Sequence, residues 1–217
     1  FISEWKNLDA LCNRIFHPQQ GTPMDELFTR YMYFRRAKKG IKSSTTEALR
    51  KFFEKNNYEI LRDENTLTEL KSLADFWNDV YEQNSVRFSS NVLKLLFVLN
   101  YAPNGMWAYL TSVYYLHNKK ADNTLEEEPF INFLKKTIGF IWAYAVINPG
   151  LMSLRTPVYS EMVNIVNGSS VAFMDYQFEE ETVKSFFGNY YFNNYRPITK
   201  AMLTWWAFEN PEQQLLS

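Results

Sequence analysis

The chain has 217 residues, 46% hydrophobic and 18% aromatic, far from the low-hydrophobicity, high-charge range in which a polypeptide cannot bury enough surface to fold. Its length suits one substantial domain. The 23 basic residues are balanced by 24 acidic ones, for a net charge of −1, so no global field draws the chain to nucleic acid or anionic lipid, and any such contact must be local.

Helical periodicity is already under way at Phe1, where Leu8, Leu11, Cys12, Ile15 and Phe16 form the apolar stripe of a first helix, closed by the loop His17-Pro18-Gln19-Gln20-Gly21. Such an opening is expected of a piece cut from a longer polypeptide. Glu4, Lys6, Asp9 and Arg14 interrupt the apolar pattern, unlike a signal peptide. Cys12 is the single cysteine, which excludes an internal disulfide and a Cys-based zinc cluster; it reads as a small buried thiol and fits a reducing cytoplasm, the expected compartment.

A second helix starts at Thr22 as N-cap, with Pro23 at the first helical position and Asp25 and Glu26 near the positive end of the dipole. It runs to Lys39, with Leu27, Phe28, Tyr31, Met32 and Phe34 facing a core, and Gly40 ends it. Three further capping boxes, at Ser44 to Glu47, Thr66 to Glu69 and Thr124 to Glu127, predict helix starts. Val92 to Leu99 is apolar on almost every side, so that helix is expected inside the core.

The box at Thr124 leads through Pro129 into the apolar series Phe130 to Ala145, predicted to be the longest and most central helix. The longest apolar run within it, Ile138 to Ile147, falls short of the roughly 18 residues that span a bilayer, so no membrane partner is expected. Pro103-Asn104-Gly105, Asn148-Pro149-Gly150 and Asn167-Gly168-Ser169-Ser170 read as turns. Val171 to Phe178 alternates in part and allows at most a short extended pair. In the last helix Ile198, Ala201, Met202, Trp205 and Phe208 form one broad apolar face, with Leu203 and Trp206 beside it. The expected fold class is all-α, a single multi-helix, bundle-like domain over residues 1–217.

Chemistry-bearing motifs are scarce. His17 and His117 are the only histidines and belong to no metal-ligand spacing. The glycines are isolated, so there is no phosphate loop and no dinucleotide fingerprint. Glu126 to Glu128 and Glu179 to Glu181 lie at helix starts, where the dipole stabilises negative charge without any catalytic role. Catalytic, metal-binding and cofactor-binding residues are therefore expected to be absent from this chain. The candidate binding surface is Arg30, Arg35, Arg36, Lys38, Lys39 and Lys42 interleaved with aromatics, a combination that suits nucleic acid but equally describes a solvated basic face. Tyr190, Tyr191, Trp205 and Trp206 are candidate contacts for a protein partner.

The segment Gly21-Thr22-Pro23-Met24-Asp25-Glu26-Leu27-Phe28-Thr29-Arg30-Tyr31, the stretch from Arg87-Phe88 to Leu99-Asn100-Tyr101, and Arg196-Pro197-Ile198-Thr199-Lys200-Ala201-Met202-Leu203 resemble the middle region of the GmrSD-like family of bacterial restriction and defence proteins. In that family a ParB-like N-terminal domain with an Asp-Gly-Gln-Gln-Arg motif handles nucleotide, and many members end in a His-Asn-His-type nuclease. This chain has neither motif; Gln19-Gln20 and Gln213-Gln214 lack the flanking residues. The resemblance implies a non-catalytic helical scaffold coupling flanking domains, with NTP and a divalent metal belonging to the parent protein and DNA as a further partner. The alternative is a stand-alone helical adaptor for protein partners, and the oligomeric state is left open.

Overall fold

A computed structural model describes residues 2–148, 151–169, 173–189 and 197–210. Among them the chain forms ten α-helices and no strand, and is 73% helical, which makes the fold all-α. In order these are α1 (Ile2–Ile15), α2 (Pro23–Lys38), α3 (Leu49–Arg62), α4 (Glu64–Tyr81), α5 (Ser90–Leu99), α6 (Met106–Asn118), α7 (Glu127–Ile147), α8 (Arg155–Val166), α9 (Glu180–Gly188) and α10 (Pro197–Glu209), with a 3-10 turn at Leu151–Leu154 ahead of α8.

Helix α2 begins as its residues dictate. The Thr22 hydroxyl accepts from the Asp25 amide and the Asp25 carboxylate accepts from the Thr22 amide, with Pro23 in the first turn. Gly40, at φ 69°, follows its C-terminus. The other three predicted boxes do not form. Residues 41 to 48 are irregular and α3 starts after Ala48, without a side-chain cap. Asp63 caps α4, so Thr66 lies inside that helix, buried, and donates to the Ile60 carbonyl at 2.6 Å. Thr124 donates instead to Asp122, and Glu126 takes the N-cap position of α7 with no side-chain cap bond. At Thr66 and Thr124 another acceptor holds the hydroxyl, which the four-residue pattern cannot register.

Two helices organise the core. Helix α2 packs against α1, α3, α4, α6 and α8, while α7 packs against α5, α9 and α10. Aromatic rings join the two groups: Phe130 and Phe133 of α7 stack on Tyr114 of α6 at centroid distances of 5.8 and 4.1 Å, and Phe130 meets Phe76 of α4. Helix α7 is the longest, as expected, but shares the centre with α2. By length and composition α7 is apolar enough to cross a bilayer, a stretch twice the run counted from sequence; 61% of its 18-residue apolar window is buried inside the fold, as in a core helix.

Helix α5 departs from its expected interior place. Val92, Leu96, Val98 and Leu99 are buried, but Phe97 reaches the surface and rests edge-on against Phe208 of α10. Helices α7 and α10 both pack on α5 and leave Phe97 partly exposed. Within Phe173 to Phe178 no extended pair forms; the segment is a turn whose rings Phe173, Tyr176 and Phe178 pack on Phe140, the first at 3.8 Å and nearly parallel. Val171 and Ala172 lie outside the described residues.

Left-handed backbone marks two bends. Asn56, Asn57 and Tyr58 take φ of 51°, 57° and 62°, which no right-handed helix can contain, so α3 is two short arms meeting at an elbow, the first burying Phe52 and Phe53 and the second Ile60. Gln83, at φ 51°, ends α4, where the Asn84 amide reaches back to the Asp79 carbonyl. Because Gly adopts this conformation without a Cβ clash, Gln83→Gly is expected to raise stability by roughly 0.5 to 1 kcal/mol in urea unfolding, whereas a loss would show that the Gln side chain makes a compensating contact.

Candidate functional site

The candidate cations of α2 do not form one exposed face. Arg30 and Arg36 are buried, at 9% and 4% exposure. The Arg30 Nε and Nη2 both reach Glu26 Oε1 at 2.9 Å, and its guanidinium lies between the rings of Phe16 and Trp77, 4.7 and 4.1 Å from their centroids. Arg36 donates to the carbonyls of Ser43 and Thr45, at 2.9 and 3.3 Å, and so ties the irregular loop after α2 back to the helix.

Arg35 is half-buried among acceptors, its Nη1 donating to the Tyr31 hydroxyl at 3.1 Å and lying near Asp63 and Glu69. The Tyr31 hydroxyl in turn donates to Glu69, and burial first, then that carboxylate, pushes the phenol up to about 12. Lys42 is paired with Asp175 at 2.8 Å, which holds that carboxyl below its usual value. Lys38 and Lys39 are exposed, their ammonium groups over the rings of Phe34 and Phe52. The expected inward turn of Tyr31 and Phe34 is observed, at 0% and 3% exposure.

Cys12 is fully buried and its thiol is pushed up to about 12, by burial first and then by Asp9, while His17 is exposed; a thiolate–imidazole pair is not assembled. The Glu126 to Glu128 and Glu179 to Glu181 clusters are exposed at the starts of α7 and α9, and Lys184 pairs with Glu180 and Glu181. Among the described residues no cluster of acidic, His or Cys side chains has metal-ligating geometry.

The structure does bring together the second set of candidates. Helices α5, α7, α9 and α10 line a groove of about 650 Å³ whose walls include Leu95, Ile138, Trp142, Met202, Trp205 and Trp206. Trp142 meets Trp205 edge-on at 6.1 Å, and Trp206 is 49% exposed. Gly139 lies on the α7 side, where an added Cβ would have nothing within 4 Å. Trp142 is buried and its Nε1 has no hydrogen-bond partner among the described residues. Lys135 and Glu209 stand at the groove as its charged members. Phe187 lines it too, and the neighbouring Phe186 and Leu203 are exposed, which extends the apolar surface beyond the groove. Tyr190 and Tyr191 lie outside the described residues.

Sequence reasoning found Trp205 and Trp206 because they fall on and beside one helical stripe. It missed Trp142 and Gly139, since nothing in a buried helix pattern tells a filled side from one left open. Compared with family models, curated proteins and solved structures, the chain matches none of them.

Proposed function

We propose that this chain is a non-catalytic helical scaffold and interaction domain of a GmrSD-like, nucleotide- and modification-dependent DNA restriction protein, acting in the cytoplasm and coupling the domains that flank it. One observation carries the coupling role: the tryptophan-walled groove between α7 and α10, a size and lining suited to anchor side chains. Its occupant in this reading is an amphipathic helix from a flanking part of the same polypeptide, apolar toward Trp142 and Trp205, with charges complementary to Lys135 and Glu209. The family assignment rests on the resemblance of the Gly21 to Tyr31, Arg87 to Tyr101 and Arg196 to Leu203 segments. NTP and a divalent metal are assigned to the flanking domains, and none to this chain.

The test is titration calorimetry of the chain against its flanking parts, produced separately. Binding is expected, and Gly139→Leu and Trp206→Ala should each weaken it by at least about tenfold, or ~1.4 kcal/mol, while thermal stability is kept. Undiminished binding by both variants would remove the groove from the reading. Binding only to an unrelated protein would favour the stand-alone adaptor. DNA contact is a lesser part of the proposal, and it falls to Lys38 and Lys39, because the other cations of the candidate surface are buried or paired.

A further inference from the structure

A second cavity, of about 230 Å³, lies on the far side of the α5 helix from the groove and is enclosed by α1, α2, α4, α5 and the start of α6. Arg30, Phe16, Trp77 and Trp107 form its interior wall, with Asn100 and Gln83 among its exposed members. This space exceeds what one water molecule needs many times over.

Arg30 gives the cavity its chemistry. Its Nε and Nη2 both face Glu26, which places Nη1 at the opposite end of the planar guanidinium, and Nη1 is buried with no hydrogen-bond partner among the described residues. A buried donor left unmatched in this way costs free energy. Burial holds the guanidinium below its usual value although Glu26 and Tyr109 act in the opposite sense, so the charge is under-compensated. Trp107 and Ala108, in the first turn of α6, line the same cavity.

We infer that this cavity binds a small monoanionic ligand with a flat apolar body, its carboxylate oxygen accepting from Arg30 Nη1 and its body lying among Trp77, Trp107 and Phe16. A single end-on donor beside a cation already shared with Glu26 suits one carboxylate. A phosphate dianion would bring twice the charge to a cavity whose one cation is already shared with Glu26. The aromatic walls supply the affinity for the body, and the exposed Tyr81 and Phe97 mark its mouth. This site is independent of the scaffold reading and survives its failure.

The experiment is isothermal titration of the whole chain with benzoate, its neutral counterpart benzyl alcohol, and inorganic phosphate, alongside the fluorescence of the tryptophans. Saturable benzoate binding is expected, with benzyl alcohol and phosphate weaker by at least about tenfold. Arg30→Gln should abolish the preference for benzoate over benzyl alcohol. Asn100→Trp, a change at an exposed position, should close the mouth and weaken benzoate about tenfold or more without touching the Arg30–Glu26 pair, and it decides the matter if Arg30→Gln fails to fold. The inference is overturned if benzoate does not saturate, if benzyl alcohol binds equally well, or if Asn100→Trp binds benzoate as the unaltered chain does.

Discussion

Glu26→Ala is expected to destabilise the fold by about 3 to 5 kcal/mol in urea unfolding, because it strands the Arg30 guanidinium inside α2 without its counter-charge. The carboxylate is the only acidic group paired with Arg30 among the described residues, both contacts being 2.9 Å, and side-chain exposures are 10% for Arg30 and 17% for Glu26. The double change Glu26→Leu with Arg30→Met should recover much of that loss, since it replaces a desolvated ion pair with side chains that pack among Phe16, Trp77 and Tyr109. If the double variant were as unstable as Glu26→Ala, the loss would come from packing at position 26 and not from an abandoned cation.

Phe130→Ala is expected to cost about 3 to 5 kcal/mol, the range for emptying a buried aromatic site. Phe130 is 1% exposed and contacts rings from three directions: Phe76 of α4, Phe88 ahead of α5, and Tyr114 of α6, with Phe133 one turn along its own helix. It is a hinge pin between the α2-centred and α7-centred groups, so the loss should appear as lower cooperativity as well as a lower midpoint. Trp206→Ala, at a half-exposed position, is the control and should leave the midpoint within about 0.5 kcal/mol. Equal losses at the two positions would show that the half-exposed ring of α10 supports the fold as much as the buried one.

The all-helical character and the apolar stripes of the first and last helices were legible because 3.6-residue periodicity is a local property. Leu8, Cys12 and Ile15 are buried on α1, and Ile198 and Ala201 on α10, as the spacing requires. Helix starts were legible at Thr22, where a cap, a first-turn proline and acidic residues coincide, and at the glutamate clusters that open α7 and α9. At Ser44, Thr66 and Thr124 a hydroxyl and a carboxylate alone misplaced the boundary, and at the last two Ile60 and Asp122 hold the hydroxyl instead. The two buried arginines of α2 were hidden for a related reason. Arginine in a helix is ordinarily a surface residue, and only the arrival of Phe16, Trp77 and Tyr109, far away in the chain, makes an interior place for Arg30.

The sequence by itself determined an all-helical chain, the entry into α2, the apolar face of α10, and a basic stretch whose meaning it left open between nucleic acid and solvent. Tertiary structure alone decided where those charges go: Arg30 buried between Phe16 and Trp77, Arg36 onto the loop carbonyls, Arg35 and Lys42 onto carboxylates, with Lys38 and Lys39 left at the surface. It also decided that α7 is packed on one side by rings and open on the other along Gly139, and that Arg30 lines a cavity. The physical reason is that periodicity reports how one helix distributes polarity about its axis. Burial, ion pairing and cavities depend on how closely several helices approach, and on which side chains from distant segments fill the space between them.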